Sequence, residues 1–285
     1  MIIQTLGKKY VVVKCYFSNS HMAHFLCREE TSGERCCVIT IKDKEWIENT
    51  MGFLMKTAEN LAFVDFQFCF SSEEFVHLVF SYAAGATLQE KMTREASSLE
   101  ERMIIGKNLL ERLMMLKMPD YFMQDCLKPE SIVIQSDLDI FFQYELHNIA
   151  EYHKVQFSHV CVQLCKVFEF VFQKELKKKQ IPLLKNFLTQ LRKGTWADLM
   201  GIYTEYMQIC EKIKKMTPEE LAQPKTWAFL SWDRVWRYAG VVKKFLAVLL
   251  VLAAVFYLGH TVHRSMKKPE IKKSFDYIGT LDLNV

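Results

Sequence analysis

The 285-residue chain is poor in glycine (10) and proline (6). That scarcity, beside an apolar half, excludes collagen-like, low-complexity and disordered classes. It also lacks a strong charge of either sign: 37 Lys and Arg face 33 Asp and Glu, a net +4. A nucleic-acid binder usually carries a clustered basic excess, so no nucleic-acid partner is expected. None of the nine cysteines falls in a CxxC pair, and their number is odd. That pattern suits reduced cytosolic thiols rather than a disulfide framework. Cys36-Cys37 and Cys161-x-x-x-Cys165 read as small buried hydrophobes rather than metal ligands, so neither a metal nor a cofactor is expected. The first residues, MIIQTLGKKYVVVKCYF, have no basic n-region followed by a long apolar core. They do not read as a secretory signal. No internal repeat is visible.

What is present is apolar and aromatic. Half of the residues are hydrophobic, and 21 are Phe, enough for a sizeable core. One segment, Phe245 to Val262, reads FLAVLLVLAAVFYLGHTV, 18 residues without a charge. At ~1.5 Å per residue a helix of that length approaches the ~30 Å hydrocarbon core of a bilayer. Lys243 and Lys244 precede it, and His263, Arg264, Lys267 and Lys268 follow. Trp227, Trp232, Trp236 and Tyr238, with Arg234 and Arg237, suit a headgroup layer before it. The expectation is a single transmembrane helix over 245–262. The N-terminal part then lies in the cytoplasm, and a short tail, 263–285, on the far side of the cell membrane. The basic run Lys174–Lys179 adds membrane lipid as an expected partner.

Before that segment the pattern changes once. Residues 9–17, 23–29 and 36–41 are β-rich, 44–60 have a helical apolar face, and 64–70 and 75–82 are again β-rich. Ala83-Ala84-Gly85-Ala86 is a small-residue break. Then come a short helix from Thr87 to Met92 and a long one starting after Ser98, with Glu101 three residues on, and ending at Leu116. A hairpin is expected at 132–135 and 140–144, and helices from Phe157 onward, broken at Pro182, Gly194 and Pro218. The fold class is α+β in two lobes. The expected layout is a β-rich lobe over 1–82, a helical lobe over 83–220, a juxtamembrane segment over 221–244, the span and the tail.

That order, with the block Asp125-Cys126-Leu127-Lys128-Pro129-Glu130-Ser131-Ile132-Val133-Ile134, resembles a protein kinase. The block is similar to the kinase catalytic loop, usually HRDLKPENIL. Leu78 to Leu88, LVFSYAAGATL, resembles the last N-lobe strand and hinge. Ser32-Gly33-Glu34 stands where kinases often carry TGE. The resemblance covers roughly 9–215. It implies a nucleotide cleft with Phe80, Ser81, Tyr82 and Ala83 at its hinge.

The catalytic groups that the resemblance implies are absent. Phosphoryl transfer needs a Lys on the phosphates, Mg²⁺ ligands and an Asp on the substrate hydroxyl. Gln124, Asp125 and Cys126 stand for His-Arg-Asp, so Cys126 replaces the catalytic Asp. Ser131 replaces the metal-binding Asn. The metal-binding DFG motif falls on Gln143-Tyr144-Glu145-Leu146. Ile39 takes the place of the strand lysine, and the turn Ser18–Met22 has no glycine. Of the catalytic-loop charges, Lys128 alone matches. The reading is a pseudokinase: not an enzyme, but a scaffold that engages other protein subunits. A nucleotide-binding sensor and an atypical serine/threonine kinase are the alternatives. The layout, a kinase-like domain and then one span, is similar to the YukC/EssB-type membrane subunit of type VII secretion systems.

Overall fold

The computed structural model describes residues 1–217 except 6, 73, 95, 96, 179 and 180, and residues 250, 253–258, 260 and 262–264. The chain divides into two compact units, Met1–Gln223 and Pro224–Val285. The first contains every numbered strand and helix below.

Its N-terminal part is a six-stranded antiparallel sheet. The strands are β1 (Ile2–Gln4), β2 (Lys9–Ser18), β3 (Met22–Glu29), β4 (Arg35–Ile41), β5 (Phe66–Ser72) and β6 (Phe75–Ser81), in spatial order β1-β2-β3-β4-β6-β5. Between β4 and β5 runs α1 (Lys44–Glu59), whose N-cap Asp43 accepts from the Trp46 amide. The central strands are apolar on both faces, which is why they read as near-continuous hydrophobic runs. On β4, Cys37, Ile39 and Ile41 face the main core, which includes Leu54 of α1. Cys36 and Val38 face the other way, into a smaller cluster with Tyr10, Phe25 and Val79. Val38 pairs Phe25 on β3 and Val79 on β6, so the register keeps that cluster on one face.

The later part is mainly helical. It contains β7 (Ala86–Thr87), α2 (Leu88–Arg94), α3 (Leu99–Leu116), α4 (Asp120–Cys126), β8 (Ile132–Ile134) and β9 (Ile140–Phe142). A 3₁₀ turn over Ile149–Lys154 follows, then α5 (Phe157–Val171), α6 (Gln173–Lys178), α7 (Pro182–Lys193) and α8 (Leu199–Lys215). The break at 83–86 leads into β7, which pairs with β8: Ala86 opposes Ile134 and Thr87 opposes Val133. Gly85 is needed there, since a Cβ would lie 2.8 Å from Val133 Cγ1 and 2.9 Å from the Ile134 carbonyl oxygen. Ser98 caps α3 by accepting from the Glu101 amide at 3.1 Å.

The expected transmembrane helix is not seen. No helix among the described residues is long and apolar enough to cross a membrane. Within 245–262 the described residues are 250, 253–258, 260 and 262. An uncharged run states a preference for apolar surroundings; it does not by itself fix a span. The rest of that run, the aromatic and basic segment 221–244 and the tail from 265 lie outside the described residues. The fold class is accordingly corrected to a mixed α+β arrangement with a curled antiparallel sheet and no membrane helix among its described elements.

Candidate functional site

The block that resembles a catalytic loop begins on α4 and ends in β8. Pro119 opens α4, where its fixed φ suits a helix start. The chain then leaves the helix through tight turns: the Lys128 amide donates to the Cys126 carbonyl, and the Ser131 and Ile132 amides donate to the Lys128 carbonyl. Pro129 offers its carbonyl to the Gln89 amide, which ties the loop to α2. The Gln143 amide donates to the Ser131 carbonyl at 2.8 Å, so β9 holds the loop from the other side.

The side chains divide into three groups. Cys126 is fully buried. Its Sγ lies 3.5 Å from the Met123 carbonyl oxygen and 3.9 Å from Met118 Sδ. Burial, with Asp125 and Asp65 nearby, pushes its thiol well above the ordinary value. A thiol so placed is neither a base nor a nucleophile at neutral pH. Ser131 is also buried. Gln124 is half-buried, and its Oε1 has no hydrogen-bond partner.

The second group surrounds Asp125, a buried residue. Its Oδ1 accepts from Lys128 Nζ at 3.3 Å and from His147 Nδ1 at 3.1 Å, while its Oδ2 is left without a partner. The His147 ring also lies 3.1 Å from the Glu145 carbonyl oxygen, and the Tyr121 hydroxyl donates to the His147 carbonyl at 2.9 Å. The hydrogen bond to Asp125 raises the imidazole pKa, against the opposing effect of partial burial. Lys128 is thus the partner of Asp125 rather than a free cation. The Glu145 side chain is exposed.

The third group fills the space beneath the expected hinge. Phe80 is fully buried, and its ring stacks on Tyr144 with centroids 4.6 Å apart. Phe63, Phe66 and Phe122 pack against Phe80 at 6.5, 5.1 and 5.9 Å. The Tyr144 hydroxyl donates to Asp65 Oδ2 at 2.8 Å, and Arg112 Nη2 donates to Asp65 Oδ1 at 2.6 Å. Ser81, Tyr82 and Ala83 are half-buried. Ile39 is fully buried on β4 in the main core, so an aliphatic side chain stands where the resemblance would put a lysine. Lys42 turns instead to the β2–β3 turn, donating to Ser18 Oγ at 2.9 Å.

The structure therefore pairs Asp125 with Lys128 and His147, and Tyr144 with Asp65. Three residues of these clusters escaped the sequence reading: His147, Asp65 and Arg112. Each acts through a partner distant in sequence, and no spacing marks it. Among the described residues no group of three His, Cys, Asp or Glu side chains is placed to hold a metal ion. No protein-family model and no curated protein matches the chain.

Proposed function

We propose that residues 1–217 act as a non-catalytic, kinase-like interaction module, a scaffold whose folded surface rather than a reaction centre carries the function. The observation that carries this reading is the fate of Cys126. At the position matched to a catalytic Asp stands a fully buried thiol packed against Met118 and Met123. A group that accepts a proton from a substrate must reach that substrate within hydrogen-bond distance. The Phe80–Tyr144 stack supports the same reading, because aromatic side chains take up the space next to the hinge. The order of elements, an antiparallel sheet with one inserted helix and then a helical half, supports the kinase-like part.

The test is radiolabelled ATP with Mg²⁺ or Mn²⁺ on the purified full chain, with thermal melting in parallel. The expected result is no label transfer, no hydrolysis above a heat-treated control and no nucleotide-dependent shift in melting. Stoichiometric label lost on Lys128→Ala would overturn the reading in favour of a kinase. A melting shift without turnover would turn it into a nucleotide sensor.

A further inference from the structure

A groove of about 460 Å³ opens where the end of α3, the start of α4, the first residue of α5 and the start of α8 meet. Its floor is Leu113, Met118 and Met123, all buried. Phe157 and Leu199 form half-buried walls, and Met200 stands at the rim, 60% exposed. Methionine is unbranched and polarizable, so such a lining adapts to the shape of an incoming apolar side chain. The polar residues of the groove are Asp120, Asp198 and Lys117, the only cation among the described residues that line it. Acid is in excess there. Asp198 is exposed, and its Oδ1 accepts from the Gly201 amide as the cap of α8. Asp120 is half-buried and makes no ion pair among the described residues. Burial raises its carboxyl pKa.

We propose that this groove docks an amphipathic helix of a partner protein, with apolar residues on the methionine floor and a Lys or Arg set against Asp120. The inference deepens the scaffold reading and rests on it. Charge decides the occupant. An anionic lipid surface is repelled by two carboxylates against one ammonium, as is an acidic helix. A basic helix relieves the desolvated Asp120 and buries the rim methionine in one step. The arrangement is that of helix-in-groove recognition, in which a few apolar anchors at helical spacing carry the contact.

The probe is a fluorescein-labelled 18-residue peptide of leucine and lysine, with leucines at helical spacing, titrated against the full chain by anisotropy. Its leucine/glutamate counterpart is the control. The lysine peptide is expected to bind, and the glutamate peptide to bind at least tenfold more weakly. Asp120→Asn is expected to weaken the lysine peptide about tenfold, and Met200→Asp more than tenfold. With ¹³C-methyl methionine, the signals of Met118, Met123 and Met200 shift on binding. Equal binding of the two peptides overturns the proposal, as does indifference to both substitutions. Concentration-dependent self-association lost in Met200→Asp would assign the groove to a second copy of the chain and also overturn it. The same preparation, assayed for phosphotransfer, separates this result from the scaffold reading: turnover would sink the latter and leave the peptide titration to be judged by its own variants.

Discussion

Tyr144 and Asp65, 79 residues apart, meet in a 2.8 Å hydrogen bond within the core. Tyr144 follows β9, Asp65 precedes β5, and Arg112 on α3 takes the second carboxylate oxygen at 2.6 Å. One carboxylate, 3% exposed, therefore bolts the sheet to the helical half. The Arg112 guanidinium also lies 5.2 Å from the Phe141 ring, so the charge is held on two sides.

Removing Asp65 leaves a largely buried guanidinium without its counter-charge. Asp65→Ala is expected to cost about 3–5 kcal/mol, as for other broken buried pairs. Tyr144→Phe removes one hydrogen bond and leaves the carboxylate its arginine, at about 1–2 kcal/mol. Urea unfolding followed by tryptophan fluorescence reads both. Values within 0.5 kcal/mol of wild type for Asp65→Ala would contradict the bolt.

The histidines set a pH window. Burial in the sheet lowers His24 and His77 from 6.5 to about 4. The unfolded chain then binds protons first as pH falls. The stability these neutral rings contribute is complete above pH 6.5 and is lost between 6.5 and about 4. His147 has the opposite sign: its bond to Asp125 raises its pKa, so its contribution is present below 6.5 and fades as pH rises through the folded value. Imidazole NMR is expected to show His24 and His77 neutral at pH 5.5 and His147 titrating above 6.5. The urea midpoint is expected to fall from pH 7 to pH 5. A midpoint that stays flat over that range would speak against the assignment.

Cys126→Asp is expected to unfold the protein rather than supply a working base. The new carboxylate would sit among Met118 and Met123 without a partner, and an unpaired buried charge costs several kcal/mol. Thiol labelling checks the environment independently. Cys15 is exposed and Cys69 half-buried; the other seven, Cys126 among them, are buried. Iodoacetamide on native protein is expected to modify Cys15 first and Cys126 only on unfolding. Early labelling of Cys126 would mean that its pocket opens.

Gly106 lies where α3 meets α5 and α8. A Cβ there would stand 2.4 Å from the Tyr206 hydroxyl oxygen and 2.8 Å from Phe168 Cε1. Tyr206 cannot simply turn aside, because its hydroxyl donates to the Met103 carbonyl at 2.9 Å. Gly106→Ala is expected to destabilise by about 1–3 kcal/mol despite the better helix propensity of alanine. A rise in melting temperature would show that the interhelix contact yields.

The local elements are largely legible in the sequence. The helix expected at 44–60 is α1, Lys44–Glu59; the break expected at Pro182 falls where α7 opens on that proline; and Ser98 caps α3 as its spacing with Glu101 implied. These signals are short-range: a cap, a proline at a first turn, a period of apolar residues. The strand expected at 64–70 instead runs from Phe66 to Ser72, and α4 and the 3₁₀ turn at Ile149–Lys154 went unread. Elements of six or seven residues contain too few turns to display a period. The uncharged run at 245–262, with its basic and aromatic flanks, led to a transmembrane expectation that the described residues do not show, because composition states a preference for apolar surroundings without fixing a span.

The sequence by itself therefore determined where the chain turns from strand to helix, and which residue types stand side by side in the block 124–134. Both are properties of neighbours along the chain. Only the tertiary structure decided what those residues meet. The Asp125–His147 pair spans 22 residues and the Asp65–Arg112 pair 47. The burial of Cys126 depends on the packing of the main core around α4, and the acid-rimmed methionine groove on four helices. A carboxylate has the same intrinsic chemistry wherever it stands. Whether it meets a cation, a tyrosine or an unfilled groove is settled by packing, which no local pattern records.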